Sequence, residues 1–496
     1  MQLSYVDANA KSHPTPLLAV AVCEEADAQS GVLADLNTML GGAVERVLVA
    51  GDMKGRTGEE TLLYAGDGGP ERVVLLGIGK AAKIDAETIR RMAGAAVRCA
   101  ERLRIDSLSI TLDDLGELSD ETTAQAAAEG AGLAAWRFSE LKAEDEAVPF
   151  VDVRSVTLMG SGDGPALTAG ALAGAAIARG SNFARTLQDR PGNVATPTHI
   201  ADEAVRMSRS VGLEVTVFDE VRMLAEGMHA LLSVSRGSEE EARFIIMEHW
   251  GGAEGEAPLV LVGKGLSFDA GGISLKPASG MEEMKYDMSG GAAVIGAMQA
   301  IAELGVKANV VGIVPSSENM PSGTATKPGD IIQSLAGKTI EVINTDAEGR
   351  LILADALTYA SKLGPAAMVD CATLTGSVII ALGHHAAAAI GNDDSLIEEL
   401  IGAGEASGER CWQLPMWDEF KKQLESPVAD LQNIGGRPAG AITAACFLSE
   451  FVGETSWAHL DIAGTAYGEG KLSYQRIGAF GFPTRLLVQW VRSRAG

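Results

Sequence analysis

Cysteine is scarce in this chain, and its distribution argues against a disulfide framework. Five cysteines occur in 496 residues, at Cys23, Cys99, Cys371, Cys411 and Cys446, and none forms a C-x-x-C pair. An odd number of scattered cysteines is typical of a reducing compartment. The first residues also lack a basic stretch followed by an apolar core. We therefore expect no secretory signal and a cytoplasmic location.

Long apolar runs and positive charge are also in short supply. The longest candidate, residues 377–391, is too short to cross a bilayer and is broken by His384 and His385, so no membrane association is expected. The 66 acidic residues outnumber the 40 basic ones and give a net charge of −26. This balance disfavours nucleic acid as a partner and favours the attraction of cations.

Several common catalytic signatures are missing. No H-E-x-x-H occurs, which excludes a zincin on motif. Gly265 follows Lys264 where a Walker A loop requires Ser or Thr. The turn at 160–164 is glycine-rich and could bind phosphate, but its spacing does not match G-x-G-x-x-G, and an interdomain turn is the preferred interpretation.

The length and the alternation of strands and helices predict an α/β protein of two domains. We predict a small N-terminal α/β domain over 1–160, a linker helix over 161–186 and a larger C-terminal domain over 187–496, with a mixed sheet flanked by helices. In the first domain a helix is predicted at 86–102, and strands are predicted at 17–22, 46–50, 72–77, 107–111 and 151–159. In the second, strands are predicted at 214–218, 244–247, 259–262, 309–314, 340–343, 367–369 and 388–390.

The stretch N-T-D-A-E-G-R-L, from Asn344 to Leu351, places two carboxylates and a guanidinium between a predicted strand and a predicted helix. Ligands bind at the carboxyl ends of strands in open α/β sheets. Asp346 and Glu348 are two residues apart, so extended backbone would point them the same way. A bound cation is the usual reason for carboxylates to converge, although this segment alone also fits a solvated turn.

A second set of candidate residues follows the strand predicted at 259–262. Lys264 and Asp269 lie in a glycine-rich stretch, and Asp287 precedes a predicted helix. Together with Asp346 and Glu348, these carboxylates would lie at the ends of neighbouring strands. Such a set can bind two divalent ions, and oxygen ligands suit Mg²⁺, Mn²⁺ and Zn²⁺.

The two stretches together resemble the leucyl aminopeptidase family, the cytosolic di-metal peptidases also called cytosol aminopeptidase or aminopeptidase A. Asn344 to Leu351 matches the family signature residue for residue. Further matches lie at 262–265, 268–269, 271–273, 276–277 and 284–288, and 457–464 resembles another family block. The resemblance covers roughly residues 180–480 and is weaker over the first 160. It implies release of N-terminal, preferably leucine-like residues from peptides.

The resemblance also implies a role for each matched residue. The ligands of two divalent ions per subunit, Mn²⁺ or Zn²⁺ with Mg²⁺ as a further option, would be Lys264, Asp269, Asp287, Asp346 and Glu348. Lys276 would stabilise the oxyanion, and Arg350 would hold a bicarbonate ion that relays a proton. The first residue of the substrate would contact Met284, Asn344, Ala347, Thr373, Leu374 and Gly376. Lys264 can ligate only as a neutral amine, which requires a lowered pKa.

The resemblance also implies an oligomeric state, and two alternative functions are considered beside the peptidase. The family implies a homohexamer that acts on peptides with a free N-terminus. A regulatory DNA-binding role, which some bacterial members combine with peptidase activity, is one alternative, and the charge of −26 argues against it. A di-metal phosphoesterase is the other, and an amine ligand such as Lys264 speaks for peptides instead.

Overall fold

The computed structural model describes residues 1–66, 69–143 and 150–496. They form two compact units, one of Met1–Arg179 with Glu469–Ile477 and one of Gly180–Gly468 with Gly478–Gly496. Both units combine sheets with flanking helices, which confirms the predicted two-domain α/β class. In the part of the chain that the structure describes, no helix is long and apolar enough to cross a membrane.

The first unit is built on a sheet with the order β1-β6-β5-β2-β4-β3, in which the β3–β4 pair is antiparallel and the other pairs are parallel. Its strands are β1 Gln2–Val6, β2 Leu18–Cys23, β3 Glu60–Tyr64, β4 Arg72–Gly79, β5 Ser107–Thr111 and β6 Ser155–Met159. Its helices are α1 Gly31–Met39, α2 Ala43–Ala50, α3 Ala86–Arg102 and α4 Asp120–Ala135, with a 3₁₀ turn at Ala81–Lys83. Asp85 caps α3 by accepting from Thr88 N, so the helix predicted at 86–102 is confirmed.

The strand predicted at 46–50 is wrong, because these residues form the end of α2. Val44, Val47 and Leu48 recur at helical spacing and turn toward the unit's core, whereas Val49 is 82% exposed. Gly42 and Gly51 adopt left-handed conformations at the two ends of the helix. The apolar residues Val47, Leu48 and Val49 therefore fit a strand pattern, although the flanking glycines mark the two ends of a short helix.

The glycine-rich turn at 160–164 is closed by carboxylates. Asp113 accepts from both the backbone and the hydroxyl of Ser161 at 2.9 Å, and Asp120 accepts from Asp163 N at 2.6 Å. Backbone N–H groups that already donate to carboxylates cannot cradle a phosphate. The arrangement agrees with a structural turn.

A long helix, α5 Gly164–Asp189, precedes the elements of the second unit. The strands that follow are β7 Glu214–Phe218, β8 Arg243–Trp250, β9 Leu259–Gly263, β10 Gly265–Asp269, β11 Asn309–Asn319, β12 Ile331–Gln333, β13 Thr339–Glu341, β14 Ala367–Ala372, β15 Ala387–Gly391, β16 Cys411–Gln413, β17 Leu431–Gln432, β18 Trp457–Asp461, β19 Tyr467–Gly468 and β20 Gly478–Ala479. The helices are α6 Pro197–Val211, α7 Glu220–Glu226, α8 His229–Ser235, α9 Ser289–Leu304, α10 Gly349–Ser361, α11 Gly376–Leu382, α12 Asp394–Ser407, α13 Asp418–Lys421, α14 Gly440–Ser449 and α15 Thr484–Arg494, with 3₁₀ segments at Met281–Met288 and Lys422–Leu424.

The main sheet of this unit has the order β16-β15-β18-β14-β9-β11-β8-β7, and β10 pairs with β11 beside this path. Parallel pairs such as β9–β14 occur together with antiparallel ones such as β15–β18, so the predicted mixed sheet is confirmed. The central strands are buried on both faces, and α10 packs its apolar residues into the same core as Trp457 of β18. The short strand β13 belongs to a separate sheet with β12 and β17.

Candidate active site

The candidate residues converge from three parts of the second unit. Lys264 lies between β9 and β10, and Asp269 is the last residue of β10. Asp287 is carried by the 3₁₀ helix that leads into α9. Asp346 and Glu348 follow β13, and Glu348 is the N-cap of α10. The structure thus brings together all five residues predicted as metal ligands.

The way in which Asp346 and Glu348 converge differs from the expectation. The strand before them, β13, belongs to the small sheet, so these carboxylates do not come from a strand adjacent to β9 or β10. Nor is the backbone extended, because Asp346 lies in a turn and Glu348 has helical angles, φ −75° and ψ −34°. A strand pattern in the sequence does not reveal which sheet the strand joins. The turn at Asp346 and the start of α10 bring the two carboxylates together, where extended backbone had been expected to do so.

Lys264 is the most enclosed member of the cluster. Its Nζ lies 2.7 Å from Asp287 Oδ2 and 2.9 Å from Glu348 Oε1, and it donates to Thr373 O at 3.1 Å. Thr373 Oγ1 in turn donates to Asp287 Oδ1 at 2.6 Å. The first residue of α10, Gly349, makes room for this amine, because a Cβ there would lie 2.6 Å from Lys264 Nζ.

The second lysine, Lys276, binds the other side of the cluster. Its Nζ lies 2.7 Å from Asp269 Oδ2 and 2.5 Å from Asp346 Oδ1. One carboxylate oxygen from each of Asp269, Asp346 and Glu348 lies within 4.8 Å of the others. Two lysines therefore face four carboxylates, and the ionised cluster keeps an excess of negative charge.

The electrostatics of the cluster reflect this excess. Burial, reinforced by Glu348 and Asp287, raises the pKa of Asp269 to about 8, and burial also raises the pKa of Asp287 and Asp346. Burial alone would lower the pKa of Lys264, but Asp287, Glu348 and Asp269 outweigh it and raise that pKa. The protein groups by themselves thus keep the Lys264 amine protonated, so the neutral amine predicted from the sequence requires the added charge of a cation.

The donor set fits divalent cations. Asp287 Oδ2 and Asp346 Oδ1 are buried, and each is paired with one lysine ammonium and accepts no other hydrogen bond from the described residues. Carboxylate oxygens with free lone pairs, a buried amine and an excess negative charge are the chemistry that binds such ions. The residues present are therefore compatible with a metal centre.

Arg350 is the second residue of α10, two positions after Glu348 of this cluster. It is 7% exposed, and burial lowers its pKa to about 10, which leaves the guanidinium charged at neutral pH. Its Nη1 donates to Asn433 O at 2.8 Å. The structure gives Arg350 no ion pair with a described residue, so its charge is balanced at longer range by Glu348 and Asp461.

Met284, Asn344 and Ala347, three of the residues predicted to contact substrate, lie on segments that carry the cluster. Thr373, Leu374 and Gly376 lie at the junction of β14 and α11, where Thr373 bonds to Asp287. Met284 and Asp287 are three apart on one 3₁₀ helix and share a face. Leu374 packs partly buried against the core, next to Thr373 and one residue before the N-cap of α11, which begins at Gly376. Asn344 accepts from Asp346 N through its side chain at 2.9 Å, and Ala347 N donates to Asn344 O.

Two asparagines in this region escaped the sequence interpretation. Asn319, at the end of β11, donates to Asp269 Oδ1 at 2.9 Å and to Thr345 O at 3.0 Å. Asn433 donates to Asn344 O at 2.7 Å and accepts from Ile343 N at 2.8 Å. Both fix the backbone that presents the carboxylates. Nothing in their sequence surroundings marks them, because they act through contacts that only the fold creates.

A group of buried polar residues was also missed, although part of it lies in the recognised block at 457–464. Asp461 accepts from Leu374 N at 3.2 Å and from Thr375 Oγ1 at 2.7 Å. His459 Nδ1 donates to Asp370 Oδ1 at 2.7 Å, because a carboxylate oxygen can only accept. The alternation of polar residues at 457, 459 and 461 on one face of a buried strand was the available signal.

Comparisons of the sequence with known proteins point to one family. The family model described as the catalytic domain of the cytosol aminopeptidase family matches residues 182–488, and the model of that family's N-terminal domain matches 19–145. A probable cytosol aminopeptidase of Paraburkholderia xenovorans is 46% identical over 476 residues, which are 95% of this chain and 92% of the relative. One of Nitrosococcus oceani is 46% identical over 459 residues, 92% of this chain and 91% of the relative.

Two solved structures superpose on this chain over nearly its whole length. A mutant of tomato leucine aminopeptidase superposes with a TM-score of 0.89 at 33% identity, covering 99% of this chain and 96% of its own. The bottromycin maturation enzyme in complex with Mn superposes with a TM-score of 0.86 at 33% identity, covering 97% of this chain and all of its own.

Proposed function

The chain belongs to the cytosol aminopeptidase family, and from that premise we propose how its acidic cluster performs the reaction of a leucyl-type aminopeptidase. Lys264, Asp269, Asp287, Asp346 and Glu348 would hold two divalent cations. The convergence of four carboxylates on only two lysines, which leaves an excess of negative charge in a buried cluster, is the observation that carries this proposal.

The chemistry divides between the cations and the protein. When bound, divalent cations lower the pKa of water and polarise a carbonyl group. In the cluster without cations, Asp269 and Glu348 raise the pKa of Lys276 against the effect of burial, so its side chain is protonated. Its ammonium can therefore donate to the oxygen of the scissile carbonyl as negative charge develops there.

Arg350 is the proposed anchor for bicarbonate. A guanidinium presents planar donors that match a carboxylate-like anion, and this one stays charged in a buried setting. When bound, bicarbonate would supply a proton acceptor that the cluster otherwise lacks. Thr373, Leu374 and Gly376 would contact the first residue of the substrate, together with Met284, Asn344 and Ala347.

Mn²⁺ or Zn²⁺ are the ions proposed for the centre, with Mg²⁺ as a weaker option. The manganese complex of the bottromycin maturation enzyme supports Mn²⁺ by similarity. Peptides with a free N-terminus are the proposed substrates. We further propose a homohexamer in the cytoplasm, which is supported by the family and by five free cysteines. The DNA-binding and phosphoesterase alternatives are not favoured by any contact in the site.

Release of nitroaniline from leucine p-nitroanilide tests this function. The purified protein would be assayed after chelation and again after addition of Mn²⁺, alongside Asp346→Asn and the exposed-site control Glu254→Gln. We expect Mn²⁺ to restore activity to the wild type and to the control, but not to Asp346→Asn. A folded wild-type protein that stays inactive with Mn²⁺, Zn²⁺ and Co²⁺ would refute the proposal.

A further inference from the structure

The inner face of β18 carries polar side chains to which the proposed reaction gives no role. Trp457, His459 and Asp461 alternate along this strand, so they share one face of the sheet. All three are fully buried, and Trp457 belongs to the core into which α10 packs. On the neighbouring strand β14, Asp370 is paired directly with His459.

Asp370 holds the imidazole of His459 by one nitrogen only. Its Oδ1 lies 2.7 Å from His459 Nδ1, and its Oδ2 accepts from Trp457 Nε1 at 2.8 Å. The other imidazole nitrogen, Nε2, is buried and has no partner among the described residues. A buried polar atom of this kind calls for a partner, because burial without one is costly.

Arg350 presents the matching deficiency. Its Nη1 is bound to Asn433 O, whereas its buried Nε has no partner in the described part of the chain. Arg350 belongs to α10, whose apolar residues share a core with Trp457, on the same face of β18 as His459 and Asp461. In agreement with this placement, the Arg350 charge acts to lower the pKa of His459, and the Asp461 carboxylate acts to raise the pKa of both groups.

We propose that His459 is a positioning residue for Arg350, whose Nε–H shares a buried water with His459 Nε2. This inference rests on the proposed function of Arg350. The Arg350 Nε–H group can only donate. A water that accepts this hydrogen bond can donate to a neutral His459 Nε2 or accept from a protonated one, so the bridge holds in both protonation states of His459. Asp370 sets the orientation of the ring, and the bridge then fixes the plane of a guanidinium that no ion pair constrains.

A double-mutant cycle on the Mn²⁺-loaded enzyme tests the inference. The variants are His459→Asn, His459→Gln, Arg350→Ala and the double variant His459→Asn with Arg350→Ala. The asparagine amide can still reach Asp370 but stops short of Arg350, whereas glutamine reaches the position of Nε2. Trp457→Phe is the matched control, because it removes the other hydrogen bond to Asp370 on the same buried strand.

We expect His459→Asn to lower kcat about 10- to 100-fold at nearly unchanged KM, as loss of a transition-state interaction does. His459→Gln should recover part of kcat, and Trp457→Phe should lower Tm while changing kcat less than about threefold. In the Arg350→Ala background, His459→Asn should have no further effect on kcat, and its Tm loss should be less than additive.

Other outcomes overturn the inference in distinguishable ways. If Arg350→Ala loses activity but His459→Asn does not, or if their effects multiply, His459 does not act through Arg350. An equal loss of kcat in Trp457→Phe would assign the effect to the integrity of the strand. If Arg350→Ala itself is fully active, the proposed role of Arg350 fails, and the inference fails with it.

Discussion

Asp269→Asn should stabilise the metal-free protein and destabilise the metal-loaded one. The substitution keeps the shape of the side chain, and its oxygen can still accept from Asn319 and from Gly271 N, which both bind Asp269 Oδ1 at 2.9 Å. It removes one of four carboxylates from a buried cluster with excess negative charge. With Mn²⁺ bound, the same substitution deletes a ligand, so the order of stability should reverse.

The magnitude follows from the pKa of Asp269. A value of about 8 in the folded protein, against 3.8 unfolded, means that stability is fully present below pH 4 and is lost as the pH rises through 8. At about 1.4 kcal/mol per pKa unit, and with the shift shared among neighbouring carboxylates, the relief is about 3–6 kcal/mol at pH 9. That corresponds to a rise in Tm of roughly 6–15 °C in a unit of this size.

Thermal unfolding in a chelating buffer from pH 5 to 9 measures the effect. The pH 5 data are the reference, because only about 1–2 kcal/mol of the contribution is lost by then, so the two proteins should differ far less than at pH 9. Saturating Mn²⁺ at pH 8 should place the wild type above the variant. A chelated variant that is less stable than the wild type at pH 9, or a difference that does not change with pH, would refute the electrostatic reasoning.

Three further substitutions probe other contacts of the site. Gly349→Ala should weaken metal binding at least tenfold in a titration, because the added Cβ would lie only 2.6 Å from Lys264 Nζ and would force the amine to move. Unchanged affinity would contradict this. Lys276→Met should lower kcat about 10²–10³-fold, as loss of an oxyanion donor does, and an effect confined to KM would speak against that role. Asp461→Asn should raise KM several-fold, because the backbone of Leu374 and the side chain of Thr375 depend on its carboxylate; an unchanged KM would show that the loop holds without it.

Local sequence patterns predicted much of the fold. The helix at 86–102 has an N-cap and an apolar stripe, and the central strands are continuous apolar runs, so both are visible without the structure. The error at 46–50 arose because valines suit a short amphipathic helix as well as a strand. The membership of β13 in the small sheet could not be read from three residues of strand pattern.

The candidate site was predictable where the chemistry is concentrated in motifs. Lys264 lies in a glycine-rich stretch, and Asp346 and Glu348 lie in a short segment together with Arg350, so the residue types indicate a ligand site. Asn319, Asn433 and Asp370 were not, because each is an isolated polar residue on a strand or loop whose partners are 26 to 89 positions away. Such long-range partners are determined by the topology of the sheet and have no local signature.

Titration of the chelated protein with Mn²⁺, followed by calorimetry and by metal analysis of the desalted product, tests the central claim most directly. The proposed function predicts two ions per chain in the wild type. It also predicts that Asp346→Asn, which keeps the other four proposed ligands, retains one tight ion and loses or weakens the second. A wild-type chain that binds no ion or only one, or an Asp346→Asn variant that binds two with unchanged affinity, would contradict the assignment of this cluster as a two-metal centre.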